Sequence, residues 1–229
     1  GQLSNYYTTP TDCNQRDERL SWNGDTQAFA QTAVYNFDSY AFLLDMQDIF
    51  REIMDKHDFV PSVTDQSGNF FGNWAMGWSD VLIIVPWTLY LQTGDVSILE
   101  ENWDAFQKYM QFMLRSERSP DHCGIPDNRQ NYGDWLSFQG TCLEVMTDYY
   151  YGYMNQIMAE IAGILGKDQE QAAYEAKFQA IKQAFLRDNV TFNDENLVIK
   201  SGEGNINYQF MHSAGKGGKW ENNSQTSLL

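Results

Sequence analysis

Cysteine, proline and basic residues are all scarce in this chain of 229 residues, which has three Cys, five Pro, and 15 Lys plus Arg against 31 Asp plus Glu. Cys13, Cys123 and Cys142 lack the spacing of a metal-ligand set, and an odd number cannot pair completely within one chain. Free thiols are expected, and a disulfide-built scaffold is excluded. The formal charge of −16 opposes binding to phosphate backbones or anionic lipid, so neither nucleic acid nor a membrane surface is an expected partner. No apolar run reaches the roughly 20 residues that a membrane-spanning helix needs. Gly1-Gln2-Leu3-Ser4 has neither the basic nor the apolar region of a secretory leader, and it assigns no compartment. His57, His122 and His212 stand apart from one another, and residues 58–69 lack the alternating ligands and closing Glu of a calcium loop. No metal or organic cofactor is expected.

What the chain does have is apolar and aromatic content. It is 42% hydrophobic and 15% aromatic, with seven Trp and thirteen Tyr, a globular composition in which many of these rings serve the core. Trp and Tyr also stack on sugar rings while offering a polar edge. The stretch from Thr11 to Asp25 gathers four carboxylates (Asp12, Asp17, Glu18, Asp25), two arginines (Arg16, Arg19) and Trp22 with almost no apolar filler. Neither helical nor strand periodicity is sustained there, so it reads as an irregular loop leading into a helix. Glycosidic cleavage needs such a set: a carboxylic acid to protonate the leaving oxygen, a second carboxylate across the ring, polar groups for hydroxyls, and an aromatic face. The bland alternative is a solvated turn in which Asp and Arg pair with each other.

The ordered string Asp12-Cys13-Asn14-Gln15-Arg16-Asp17-Glu18-Arg19-Leu20-Ser21-Trp22-Asn23-Gly24-Asp25 resembles the acidic signature of the family 78 bacterial α-L-rhamnosidases. It departs at Asn14, Ser21 and Asn23, where the family often has Pro, Gly and Thr, and none of these positions carries chemistry in the family. Gly77-Trp78-Ser79-Asp80, Pro86-Trp87, Thr93-Gly94-Asp95 and Tyr132-Gly133-Asp134-Trp135-Leu136 extend the similarity over most of the chain.

Periodicity organises the rest. Residues 27–56 show helical spacing, a polar break spans 58–73, and an apolar helix over 74–92 ends at Thr93-Gly94-Asp95. A helix over 95–117 follows, then an irregular insert over 119–141. Residues 143–165 and 169–186 form another helix pair around Gly166-Lys167-Asp168. Helix, tight turn, helix, long loop is an αα repeat. A ring of such hairpins encloses a funnel, with the loops at 6–25, 58–73 and 119–141 converging on its long-loop side. The resemblance implies the same architecture, an all-α (α/α)6 six-hairpin toroid. About five helices are legible, and residues 223–229 read as the first turn of another, against the twelve in six hairpins. The chain therefore reads as a partial barrel, the front part of a catalytic domain, without the family's β-sandwich domains.

Glu18 is the candidate general acid. Neighbouring Asp12, Asp17 and Asp25 would raise its pKa, while Arg16 and Arg19 push the other way. The choice of Glu18 over Asp17 rests on the family pattern. The resemblance assigns Asp12, Arg16 and Asp25 to sugar hydroxyls and Trp22 to the apolar face and C6 methyl of a 6-deoxy sugar. For Asp25 the alternative is an N-cap of a helix beginning near Thr26. Trp78 and Trp135 resemble the further tryptophans of the family's pocket, and core packing is the alternative for Trp78. Asp80 and Asp134 are read as hydroxyl contacts or as supports for these tryptophans; Trp74, Trp87 and Trp103 are read as packing. The implied activity is release of terminal α-L-rhamnose, with inversion, from a rhamnose-containing glycoside or polysaccharide. The general base is expected outside the chain, which alone should be close to inactive. A glucoamylase-like six-hairpin hydrolase or a non-catalytic sugar-binding fragment is the alternative. A polysaccharide lyase would want a basic groove and is disfavoured by the charge.

Overall fold

The computed structural model describes residues 1–6, 20–64, 70–71, 74–117, 132–133, 143–193, 196–201 and 219–220. Asp12, Arg16, Glu18, Asp134, Trp135, the three cysteines, His122, His212 and residues 223–229 lie outside them.

A short helix, α1 (Gln2–Asn5), precedes α2 (Asn23–Asn36) and α3 (Tyr40–Lys56). The helical spacing over 27–56 is therefore two helices. The chain becomes extended at Phe37, and the buried Ser39 hydroxyl donates to the Ala33 carbonyl at 3.2 Å and the Phe37 carbonyl at 3.3 Å. Gln2 adds bonds to the Ala33 carbonyl and to Ser39 Oγ. The Phe37 N–H still closes the last turn on the Ala33 carbonyl at 3.1 Å, and these side chains add to it where the chain leaves the helix, as Ser does at helix boundaries.

Beyond α3, β1 (Val63–Thr64) and β2 (Phe70–Phe71) pair antiparallel. The expected helix over 74–92 is a turn at residues 76–80 followed by α4 (Val81–Thr93). Gly77 sits at φ 83°, a left-handed conformation no helix accommodates. Val81, Leu82, Ile83, Val85, Trp87 and Leu89 are all buried, so α4 is apolar on nearly every side and lies inside the bundle. Gly94, at φ 73°, closes it by donating its N–H to the Tyr90 carbonyl at 2.7 Å. A Cβ at Gly94 would meet nothing within 4 Å, so Gly94→Ala is expected to cost only the left-handed strain, about 1 kcal/mol, read as a small drop in denaturant midpoint.

The next helix, α5 (Ser97–Arg115), buries Ile98, Leu99, Asn102, Trp103, Phe106, Tyr109, Met110 and Met113, an i, i+3, i+4 stripe. Helices α6 (Leu143–Ile164) and α7 (Asp168–Asn189) form the next pair around Gly166 at φ 68°. They approach closely where α6 has glycine: a Cβ on Gly152 would sit 3.4 Å from Ile181, and one on Gly163 2.7 Å from Gln171. Glu117, just past α5, accepts from Tyr151 on α6 at 2.5 Å and pairs with Lys177 on α7. An antiparallel sheet of β3 (Val190–Asn193), β4 (Asn196–Ser201) and β5 (Lys219–Trp220) follows and was not anticipated from periodicity.

Helix α2 packs on α4 and α4 on α6, while α3 lies against α4 and α5, and α7 covers α6. The result is an inner row of α2, α4 and α6 and an outer row of α3, α5 and α7. This is three successive helix pairs of an all-α six-hairpin arrangement, one pair more than the two hairpins anticipated. One core runs through them, with Phe50, Leu82, Leu89, Leu99, Phe106, Tyr151 and Ile161 inaccessible or nearly so. Trp87 and Trp103 belong to it, as expected, and Trp74 packs against its edge.

Candidate active site

Trp22 before α2, residues 61–64, the turn before α4 and Tyr132 come together at one end of the bundle. Trp22 stands immediately before α2 and bridges to Val63. Asn23 locks that junction: its N–H donates to the Ser62 carbonyl at 2.9 Å, and its amide donates to the Pro61 carbonyl at 2.6 Å and Thr64 Oγ1 at 2.8 Å. Asn23 therefore has a structural use of its own at a position where the family often has Thr.

Tyr132 arrives from the third loop. Its ring lies edge-on to Trp22, 5.7 Å between centroids, and to Trp78, 4.8 Å. Its hydroxyl is 3.1 Å from Ser62 Oγ. Trp22 and Trp78, singled out separately in the sequence, are thus joined by a third aromatic. All three are only partly buried, so the cluster keeps ring surface available for a ligand. Gly133, at φ 62°, turns the chain directly after Tyr132. Partly exposed aromatic edges and faces grouped at a loop junction suit the apolar face of a sugar.

Asp25 is exposed in the first turn of α2, where a carboxylate favours the helix dipole, and it helps line a cavity of about 390 Å³ with Tyr6, Ala28 and Phe29. It is not the N-cap of a helix starting near Thr26, because α2 already begins at Asn23.

Asp80 is fully buried, so it cannot reach a sugar hydroxyl. Its Oδ1 accepts the Tyr109 hydroxyl proton at 2.9 Å and its Oδ2 accepts the Gly77 N–H at 2.6 Å. Tyr109 in turn accepts from the Trp74 indole N–H at 3.1 Å. Gln27 of α2 donates to the Gly77 carbonyl at 2.5 Å. Its hydroxyl-contact alternative therefore fails, and Asp80 is bonded to the turn that precedes α4, next to Trp78 in sequence. Gln27, Tyr109 and Tyr132 were not found from sequence. Tyr132 lay within a quoted motif, whereas Gln27 and Tyr109 sit on regular helices and left no local signal.

Burial pushes the Asp80 carboxyl up to about 6 against the pull of its hydrogen bonds from Gly77 and Tyr109. Between the unfolded value of 3.8 and about 6 the native state keeps a proton that the unfolded chain has released. Asp80's contribution to stability therefore falls as pH rises across that window, by about 1.4 kcal/mol per pH unit at most, and is flat above it. Denaturant midpoints of the helical domain from pH 4.5 to 7.5 should show this slope in the wild type and lose it in Asp80→Asn.

The chain matches, over residues 1–226, the model of the bacterial α-L-rhamnosidase six-hairpin glycosidase domain. An α-L-rhamnosidase of Formosa agariphila is 34% identical over 213 residues, covering 89% of this chain and 21% of that protein. One of Streptomyces avermitilis is 33% identical over 186 residues, covering 81% of this chain and 17% of that protein. The chain spans about a fifth of the length of these curated relatives. Among solved structures, the Streptomyces avermitilis α-L-rhamnosidase complexed with L-rhamnose superposes with a TM-score of 0.73 at 31% identity, covering 83% of this chain and 18% of that one. The α-L-rhamnosidase from Dictyoglumus thermophilum gives 0.73 at 30%, covering 83% and 21%. The helix pairs, the aromatic junction at their loop end and these similarities agree, and the chain belongs to the bacterial α-L-rhamnosidase six-hairpin glycosidase family.

Proposed function

We propose that this chain supplies the general acid and much of the sugar pocket of an inverting α-L-rhamnosidase. The observation that carries the proposal is the cluster of Trp22, Tyr132 and Trp78 at the junction of three loops, adjoining the acidic segment in sequence. Trp22 and Trp78 take the apolar face and C6 methyl of rhamnose, together with Trp135. Asp12, Arg16, Asp25 and Asp134 take its hydroxyls. Glu18 protonates the glycosidic oxygen as the bond breaks. Inversion requires a second carboxylate roughly 6.5–9.5 Å from the acid, with room for the attacking water. That base is proposed to lie outside these 229 residues.

The reading draws support from relatives named α-L-rhamnosidase and from a similar structure holding L-rhamnose. The intact protein should hydrolyse an aryl α-L-rhamnoside and be inhibited by L-rhamnose. It should leave the matching aryl α-D-glucoside largely untouched, because a glucoside lacks the 6-deoxy methyl. Efficient glucoside cleavage without rhamnoside cleavage would leave the six-hairpin fold standing and overturn the specificity.

A further inference from the structure

Gly77 is held at both polar atoms by buried side chains, one from its own turn and one from another helix. Asp80 takes its N–H and Gln27, from α2, takes its carbonyl. Its left-handed φ is backed by Met146 of α6, whose methyl would lie 3.0 Å from any Cβ there. The next residue is Trp78. One turn is thus tied to α2, α5 and α6 at the point where it presents a ring to Tyr132.

The direction of the hydrogen bonds is forced. The Trp74 indole can only donate, so the Tyr109 hydroxyl accepts from it and turns its own proton toward Asp80. The Gly77 N–H can also only donate. The Asp80 backbone N–H joins them, so every group that meets the Asp80 side chain is a donor, and an acceptor at both oxygens is required. An ionised carboxylate provides this; an amide would set its own N–H₂ against one of the two. Bonds to a charged acceptor are the strong ones, and an unpaired donor in a buried site is costly. Asp80 itself is inaccessible, so any effect on a ligand is transmitted.

We propose that Asp80, held in register by Tyr109, is a positioning residue for the sugar pocket: it fixes the Gly77–Trp78 turn so that the Trp78 ring stands ready for the sugar face. The proposal rests on the rhamnoside-binding reading for what Trp78 does, and on hydrogen-bond geometry alone for what Asp80 does. The loss of one hydroxyl in Tyr109→Phe keeps the ring and its packing while removing the proton that Asp80 accepts. Trp78 contributes to substrate and transition-state binding alike, so its displacement raises KM and the L-rhamnose inhibition constant together and spares kcat.

The test uses the full-length protein with Tyr109→Phe, Asp80→Asn and Trp78→Ala. Amide exchange of the peptide covering residues 75–80 reads the turn directly, and aryl α-L-rhamnoside kinetics with L-rhamnose inhibition read the pocket. Expected for Tyr109→Phe are faster exchange confined to that peptide and about a tenfold rise in both KM and the inhibition constant, with kcat within about twofold. The rise should vanish when Trp78 is already Ala, since the two residues act through one ring. Unchanged exchange in both Tyr109→Phe and Asp80→Asn overturns the proposal. So does faster exchange with unaltered KM, or a loss of kcat and melting temperature with KM unchanged, which marks a merely structural role. A wild type that neither cleaves the rhamnoside nor responds to L-rhamnose overturns the rhamnoside reading instead, and the exchange result then stands on its own for the turn.

Discussion

Glu18→Gln in the intact protein is expected to lower turnover of an unactivated α-L-rhamnoside by roughly 10²- to 10⁴-fold, the usual worth of a positioned general acid. The amide keeps the shape and polarity of the side chain and removes only the transferable proton. The dependence on leaving group separates this role from others. A nitrophenolate departs readily without protonation, so the deficit should shrink on activated aryl rhamnosides and widen on alkyl ones. A residue that merely held a hydroxyl would slow both alike. Equal rates for variant and wild type on the alkyl substrate would remove Glu18 from the chemistry and reopen Asp17.

Gly24→Ala should cost on the order of 10²-fold in rhamnoside kcat/KM, carried mainly by KM because it acts through Trp78, although it adds a single methyl group. Its Cβ would fall 2.5 Å from Nε1, 2.6 Å from Cε2 and 2.7 Å from Cδ1 of Trp78, inside any tolerable contact with a rigid ring. Helix propensity alone would favour Ala by about 1 kcal/mol at a helical glycine. Overpacking costs about 1–3 kcal/mol, and the indole, hemmed in by Tyr132, has little room to retreat. Stability and activity should therefore fall together. A variant that is more stable than wild type with an unaltered KM would show that the first turn of α2 does not press on Trp78.

Helices α5, α6 and α7 were legible to within about two or three residues, because each has a sustained apolar stripe and turn residues such as Gly94 and Gly166 at its ends. Two boundaries were not. At the α2–α3 break the buried hydroxyl of Ser39 bonds Ala33, six residues back, and is met by Gln2, far away in sequence. The segment 74–80 looked helical because its Trp, Ala and Met are apolar. That apolarity reflects a buried turn two of whose N–H groups are taken by side chains: Ser79 Oγ accepts from Ala75 and Asp80 accepts from Gly77. The β3–β4 hairpin did leave a signal, Val190-Thr191-Phe192 and Leu197-Val198-Ile199 flanking Asp194-Glu195, which a strand template would have caught. At the site, Trp22 and Trp78 were readable because motifs carry them. The clamp behind Trp78 was not, since Gln27, Tyr109 and Gly77 come together only through tertiary packing.

The most direct test of the central claim follows cleavage of an aryl α-L-rhamnoside by the intact protein with proton NMR, observing the anomeric signal before mutarotation. An inverting rhamnosidase releases β-L-rhamnose first, and that is the result expected. Release of α-L-rhamnose, or no cleavage of the rhamnoside at all, would contradict it.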